Sequence, residues 1–300
     1  MFRTIIALSL LLMPARAFAD PSSVMPDAVR EMLTAAIANG DESDVRAIAK
    51  IARQTYPDAI AEIDAMISDH DTKAANKRAQ HIRTAHFWDL WSGQGEFGVF
   101  RSTGKASEFG ISGGLNLKRE GLRWKHLLRA NADYRRANGE VSRENMLFAY
   151  EPRYQISPKA FSYGLLQYER DPLVGFDSRY SASSGFGYQF IDCERVKLSI
   201  DTGPSYRHVK YTDDGWEDRL GLRSSLDFNW KLSPTLTFQQ NAYAYIEKDK
   251  TSLSSLTALD AKVIARLSAR FSYSTAYESG AQLAEESFDT LSKVTLIYDF

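Results

Sequence analysis

The chain has 300 residues, enough for one large domain or two modest ones. Its 37 basic and 38 acidic side chains leave a formal net charge of −1, which excludes a nucleic-acid binder built on a strong basic excess. A single cysteine, Cys193, excludes an intramolecular disulfide and a cysteine-built metal site, and neither a metal nor a cofactor is expected.

At the N-terminus, Arg3 supplies a positive charge, Thr4 to Met13 form a short apolar run, and Ala17-Phe18-Ala19 places small residues at both cleavage positions. Residues 1–19 read as a secretory signal peptide, with cleavage expected before Asp20. Elsewhere no apolar run approaches the ~20 residues of a membrane-spanning helix, so a membrane-spanning mature chain must cross as a closed barrel.

Residues 20–86 carry a helical period. Val29, Met32, Leu33, Ala36 and Ile37 recur at spacings of three and four, and Gly40 is placed to end that helix. A second helix is expected after Asp44, read as its cap, with Val45, Ile48, Ala49 and Ala52 on one face and Pro57 as its interruption. A third is expected from about Asp58, with Ile60, Ile63 and Ile67 inward, running into the charged stretch up to Arg83. These pieces predict a small helical extension, expected in the periplasm.

From Phe87 the period is two. Phe109, Ile111, Leu115 and Leu117 alternate with Glu108, Ser112, Asn116 and Lys118. Trp124, His126, Leu128 and Tyr134 alternate with Arg123, Lys125, Arg129, Asp133 and Arg135. Twelve strands are expected, near 91–102, 106–118, 122–136, 143–156, 160–170, 178–191, 195–210, 217–232, 235–247, 252–266, 269–278 and 287–300. Many exceed the ~9–11 residues of a tilted membrane strand, and aromatics such as Trp124, Tyr134, Phe190, Tyr206, Trp230 and Tyr298 bracket the apolar faces. Connections such as Ser157 to Lys159 and Ser233-Pro234 read as tight. Ala137 to Ser142, Asp171 to Asp177, Tyr211 to Trp216 and Ser279 to Glu286 read as longer external loops. An all-β transmembrane antiparallel barrel over residues 87–300, with both ends in the periplasm, is the expected fold.

The last strand places Val294, Leu296, Tyr298 and Phe300 on one face, a pattern resembling the signal read by the barrel-assembly machinery. The opening Trp91-Ser-Gly-Gln-Gly-Glu-Phe-Gly, the Ser102-Thr-Gly element, the Trp124 strand with Tyr134 and the Val-Thr-Leu-Ile-Tyr-Asp-Phe ending resemble the YdiY-like salt-induced outer-membrane protein family. Lys105 departs from the Asn that many members carry after the Thr-Gly. The resemblance covers roughly residues 87–300 and implies an outer-membrane barrel in a Gram-negative envelope. It brings no activity and no catalytic residues.

Two histidines, His126 and His208, fall within the strands, and neither has a serine two residues further on, as a same-strand nucleophile pair would need. Both read as residues of an interfacial girdle. Asp213, Asp214 and Asp218 follow His208 and read as an acidic external loop. Strand parity predicts inward-facing charges at Arg123, Lys125, Arg129, Asp133, Arg153, Lys197, Asp201, Arg223, Asp227, Lys262 and Arg266, with basic residues in excess. Such charges either pair into a rigid filling or line a narrow anion-favouring pore, and both readings stand. A membrane-embedded lipid hydrolase and an adaptor engaging a periplasmic partner through the helices are the alternatives. The expected surroundings are outer-membrane lipid and lipopolysaccharide, around a monomer.

Overall fold

The computed structural model describes residues 25–40, 42–102, 108–212, 215–281 and 284–300. Ala17, Ala19, Thr103 to Lys105, Asp213 and Asp214 lie outside these residues. Two compact units divide between Arg83 and Thr84.

The first unit is helical. Helix α1 (Asp27–Asn39) ends at Gly40, whose φ of +75° lets its N–H turn back to the carbonyls of Ala36 and Ile37. Helix α2 (Glu42–Thr55) begins two residues before Asp44, which therefore sits in the first turn and not at the cap. A short 3₁₀ turn over Pro57–Ala59 leads into α3 (Ile60–Thr84). Met25, Leu33, Ala49, Ala52, Ala59 and Ile63 form its core, and Arg30–Glu62 and Arg53–Asp64 ion pairs tie the helices together. Beyond Ile67, α3 is largely exposed. Among the described residues no helix is long and apolar enough to cross a membrane.

The second unit is a closed antiparallel barrel of twelve strands, each paired with its sequence neighbours. The strands are β1 (Trp91–Ser102), β2 (Glu108–Glu120), β3 (Trp124–Ala137), β4 (Glu140–Gln155), β5 (Ala160–Asp171) and β6 (Phe176–Asp192). They continue as β7 (Val196–Tyr211), β8 (Trp216–Ser233), β9 (Leu236–Glu247), β10 (Thr251–Ile264), β11 (Leu267–Ala281) and β12 (Ala284–Asp299). Closure is made at the end that carries both termini of the barrel: Gly93 and Phe300 exchange two backbone hydrogen bonds of 3.0 Å, and the ladder runs on from Gln94↔Asp299 to Phe97↔Leu296. A Cβ on Gly93 would lie 2.9 Å from the Phe300 ring and 2.6 Å from Leu117, so the terminal aromatic packs where only glycine leaves room.

The apolar faces point outward, with Leu220 at 76% and Val294 at 73% exposure. Trp124 and Tyr134 bracket this face on β3; at ~3.3 Å per residue and a tilt of about 40°, their separation gives a belt roughly 25 Å high, the height a membrane barrel needs. One girdle lies at the termini-bearing end. There Phe87, Trp91, Trp124, His126, Tyr150 and Tyr154 are linked by ring contacts and by Trp91 Nε1 donating to the Phe87 carbonyl at 3.1 Å. The other end carries Tyr168, Tyr180, Trp216, His208 and Tyr206.

The strands extend further toward the second end than their pattern alone indicates, and the contrast in loop length largely disappears. The expected loop from Ala137 to Ser142 is a two-residue turn at Asn138 (φ +52°) and Gly139 (φ +89°), and β11 and β12 run to Ala281 and from Ala284. Polar strand ends above an apolar belt carry no hydropathy signal that separates them from loops. Within β6 and β7 the chains cross unusually closely: a Cβ on Gly203 would lie 2.0 Å from the Ser184 carbonyl oxygen, and one on Gly185 2.1 Å from that of Thr202. Gly203→Val is therefore expected to abolish the heat-modifiable compact form on gel electrophoresis, whereas Gly113→Val, where a Cβ meets open space, is expected to preserve it.

Candidate functional site

The barrel's inner face is the candidate site. A sheet closed on itself must fill or solvate its interior, and charged groups withdrawn from water persist only when paired. Here they pair across the lumen. Glu151 (β4) and Asp201 (β7) are almost fully buried, at 2% and 1% exposure. Arg223 (β8) reaches Asp201 at 2.6 Å and Glu151 at 3.8 Å. Arg153 (β4) reaches Glu151 at 2.5 Å and, from the facing wall, Asp227 (β8) at 3.0 Å. Ser225 Oγ donates to Asp201 at 2.6 Å, and Asn241 Nδ2 donates to Asp227 at 2.7 Å. The guanidinium groups lie over apolar rings of β5, Arg153 over Phe161 at 4.8 Å and Arg223 over Tyr163 at 5.3 Å.

A second set lies nearer the other end. Arg179 (β6) holds Glu169 in a forked pair at 2.8 and 3.0 Å and bridges to Glu278 on β11 at 3.0 Å, with its guanidinium 4.1 Å from the Phe176 ring centre. Arg207 and Arg219 share Glu247, at 3.0 and 3.2 Å. On the remaining wall Arg270 joins Asp260 at 2.6 Å and Glu96 at 3.2 Å. Between these bridges remains a polar cavity of about 470 Å³, faced by Asn, Gln, Ser and Thr side chains such as Asn116, Asn131, Gln239, Asn241, Ser254 and Ser272.

The predicted inward charges divide into three groups. Arg129, Asp133, Arg153, Asp201, Arg223 and Asp227 come together in the lumen, Arg129 lying 3.7 Å from Glu151 and Asp133 lying 3.1 Å from Lys293. Lys125 is half-buried near the mouth, 3.8 Å from Glu120. The other four are not lumen residues. Arg123 lies in the turn before β3 and donates to the Tyr154 hydroxyl at 3.2 Å. Lys197 is an exposed partner of Asp192 at 3.5 Å. Lys262 is exposed at the end of β10, and Arg266 lies in the turn that follows. Parity assigns a face only while the strand continues, and these residues sit where the sheet ends. Carboxylates missing from the predicted set, Glu169, Asp171, Glu247 and Glu278, point inward instead. Among the described residues the expected basic excess therefore disappears, and the lumen is close to charge-balanced.

A family model described as "Protein of unknown function, DUF481" matches residues 95–300. The chain belongs to this family. It is 25% identical over 150 residues to the Escherichia coli K12 protein YdiY, itself described as uncharacterized; the match covers 50% of this chain and 59% of YdiY, less than two thirds of that relative's length. Among solved structures, the NanC porin aligns with a TM-score of 0.41 and 10% identity over 70% of this chain and 97% of its own. An outer membrane channel from Pseudomonas putida F1 aligns with a TM-score of 0.43 and 6% identity over 72% and 100%. At such scores they add nothing to the strand ladder already described.

The two histidines of the DUF481 barrel face outward. His126 Nδ1 lies 2.8 Å from the Tyr150 hydroxyl, between the rings of Trp124 and Tyr150. His208 stacks on Trp216 at 4.2 Å and contacts Asp218 at 2.5 Å, and Asp218 also accepts from Tyr206 at 2.7 Å. Among the described residues no group of three or more His, Cys, Asp or Glu side chains could hold a metal ion. Removing one side of a buried pair leaves the other side uncompensated. Arg179→Met is expected to destabilise the barrel in urea by about 3–5 kcal/mol, and adding Glu169→Gln is expected to recover part of that loss.

Proposed function

We propose that this chain is a Sec-exported outer-membrane barrel that contributes to envelope integrity under osmotic or salt stress. Its lumen admits small polar solutes slowly. The observation that carries the reading is the polar cavity of about 470 Å³ narrowed by cross-lumen ion pairs such as Arg153–Asp227 and Arg179–Glu278. An open porin needs an unobstructed core, and a filled eight-stranded barrel leaves none; this interior lies between the two. The outward apolar belt between two aromatic girdles supports residence in a lipid bilayer. The signal peptide read at residues 1–19 and the terminal Phe300 support export and assembly by the barrel-assembly machinery. In this reading lipid and lipopolysaccharide surround a monomer, and the helices α1 to α3 stand in the periplasm, free to engage a partner there.

Because acidic and basic groups nearly balance in the lumen, weak ion selectivity is expected in place of the anion preference that a basic excess would produce. In planar bilayers the refolded protein should show conductance far below that of open porins, and Arg153→Ala/Arg179→Ala should raise it severalfold. Large wild-type openings would refute the narrowed lumen, and a double variant as silent as wild type would refute passage.

We read the barrel as non-enzymatic. The His208–Asp218 pair favours the lipid-hydrolase alternative in one respect, since a carboxylate can orient an imidazole for general-base work. Stacking on Trp216 and the shared contact with Tyr206 fit an interfacial girdle better. Lipid hydrolysis by the wild type that vanishes in His208→Ala would establish the enzyme; the expectation is no hydrolysis in either.

A further inference from the structure

Eleven of the twelve strand junctions run nearly the full length of their strands, whereas the β1–β12 ladder stops at Phe97↔Leu296. Above that point, among the described residues, β1 pairs only with β2, from Gly98↔Ser112 to Ser102↔Glu108, and β12 pairs only with β11. Unpaired backbone at membrane depth is costly in hydrocarbon and is tolerated where it lines a cavity. A cavity is present. A space of about 300 Å³ lies at this seam, with the apolar side chains Val99, Ile111 and Val294 on its outer side. These three are 56%, 43% and 73% exposed.

Its inner side is polar and shares Asp133, Arg143 and Lys293 with the lumen cavity, so the two spaces meet. Lys293 on β12 reaches past β1 and β2 to Asp133 on β3, at 3.1 Å. The Nε of Arg143 is buried and has no hydrogen-bond partner among the described residues. An apolar outer lip leading to a lysine held by one carboxylate, beside a guanidinium with a free donor, suits a molecule with an alkyl chain and an anionic head. At about 300 Å³ the space is at the small end of ligand pockets and fits one chain in preference to a diacyl lipid.

We propose that the open part of the β1–β12 seam is a lateral portal for a single-chain anionic amphiphile. The chain lies against Val99, Ile111 and Val294, and the head exchanges with Asp133 as the partner of Lys293 while also meeting Arg143. This goes beyond slow solute passage and does not depend on it, because a molecule can enter sideways whether or not the barrel conducts along its axis.

The test uses the full mature chain in vesicles with a diazirine-bearing palmitic acid, and its methyl ester as the uncharged control. Annular lipid labels the outward face of every strand; entry through the portal labels inward positions such as Leu291 and Ser272. The acid is expected to label these positions about tenfold more than the ester, and Lys293→Gln/Arg143→Gln should reduce that labelling by a similar factor. The closed register, carried upward, sets Val99 opposite Val294. In a Cys193→Ser background, Val99→Cys/Val294→Cys bridged by a bis-methanethiosulfonate should therefore block inward labelling while leaving axial conductance at the unbridged level. The proposal is overturned by label confined to outward faces, by inward label that the bridge or the charge variants leave unchanged, or by failure of the bridge to form. Silent bilayers with intact inward labelling would overturn the passage reading alone.

Discussion

Arg223 and Asp201 meet at 2.6 Å where both are cut off from solvent, and neither charge could remain there without the other. The rest of the barrel's interior follows from this constraint. Most lumen arginines are placed so that at least one carboxylate from another strand falls within reach, and several take their partner from the facing wall. The inner face thus acts as a set of cross-braces. Removing one brace does not simply enlarge the lumen, because it leaves its partner buried and unpaired. A narrow interior and a stable one are here the same property.

The aromatic residues serve the same constraint from two sides. Outside, rings gather into girdles at the two ends, where Tyr150 and Asp218 give the imidazoles of His126 and His208 polar contacts. Inside, Phe161, Tyr163, Phe176 and Tyr245 lie under the guanidinium groups of Arg153, Arg223, Arg179 and Arg207. These inner rings give the cations an apolar floor, while carboxylates meet them edge-on.

Much of the fold was legible because hydropathy alternates wherever one strand face meets lipid and the other meets charge. This held for β2, β3, β7, β8 and β12, and it recovered the strand count and the outward positions of Val294, Leu296, Tyr298 and Phe300. It weakened in β5, where Phe161, Tyr163 and Leu165 point inward and Leu166 outward, so both faces are apolar. It also misplaced Arg123, Lys197, Lys262 and Arg266, because parity says nothing about where a strand stops. The pairings were beyond reach. Arg179 and Glu278 lie 99 residues apart, and only closure of the sheet brings them together. The short β1–β12 ladder was equally invisible, since no property of Gly98 or Thr295 alone reveals which strand lies beside it.

The central claim is that charges bridge the lumen from wall to wall and so narrow it. A double-mutant cycle on Arg153 and Asp227, read by equilibrium unfolding in urea of the full barrel in detergent, tests it most directly. Direct pairing at 3.0 Å, with Asp227 partly open to the lumen, predicts a coupling energy of about 0.5–2 kcal/mol between Arg153→Met and Asp227→Asn. A coupling near zero would mean that water screens the two side chains from each other, and would contradict the account of a braced, narrowed lumen.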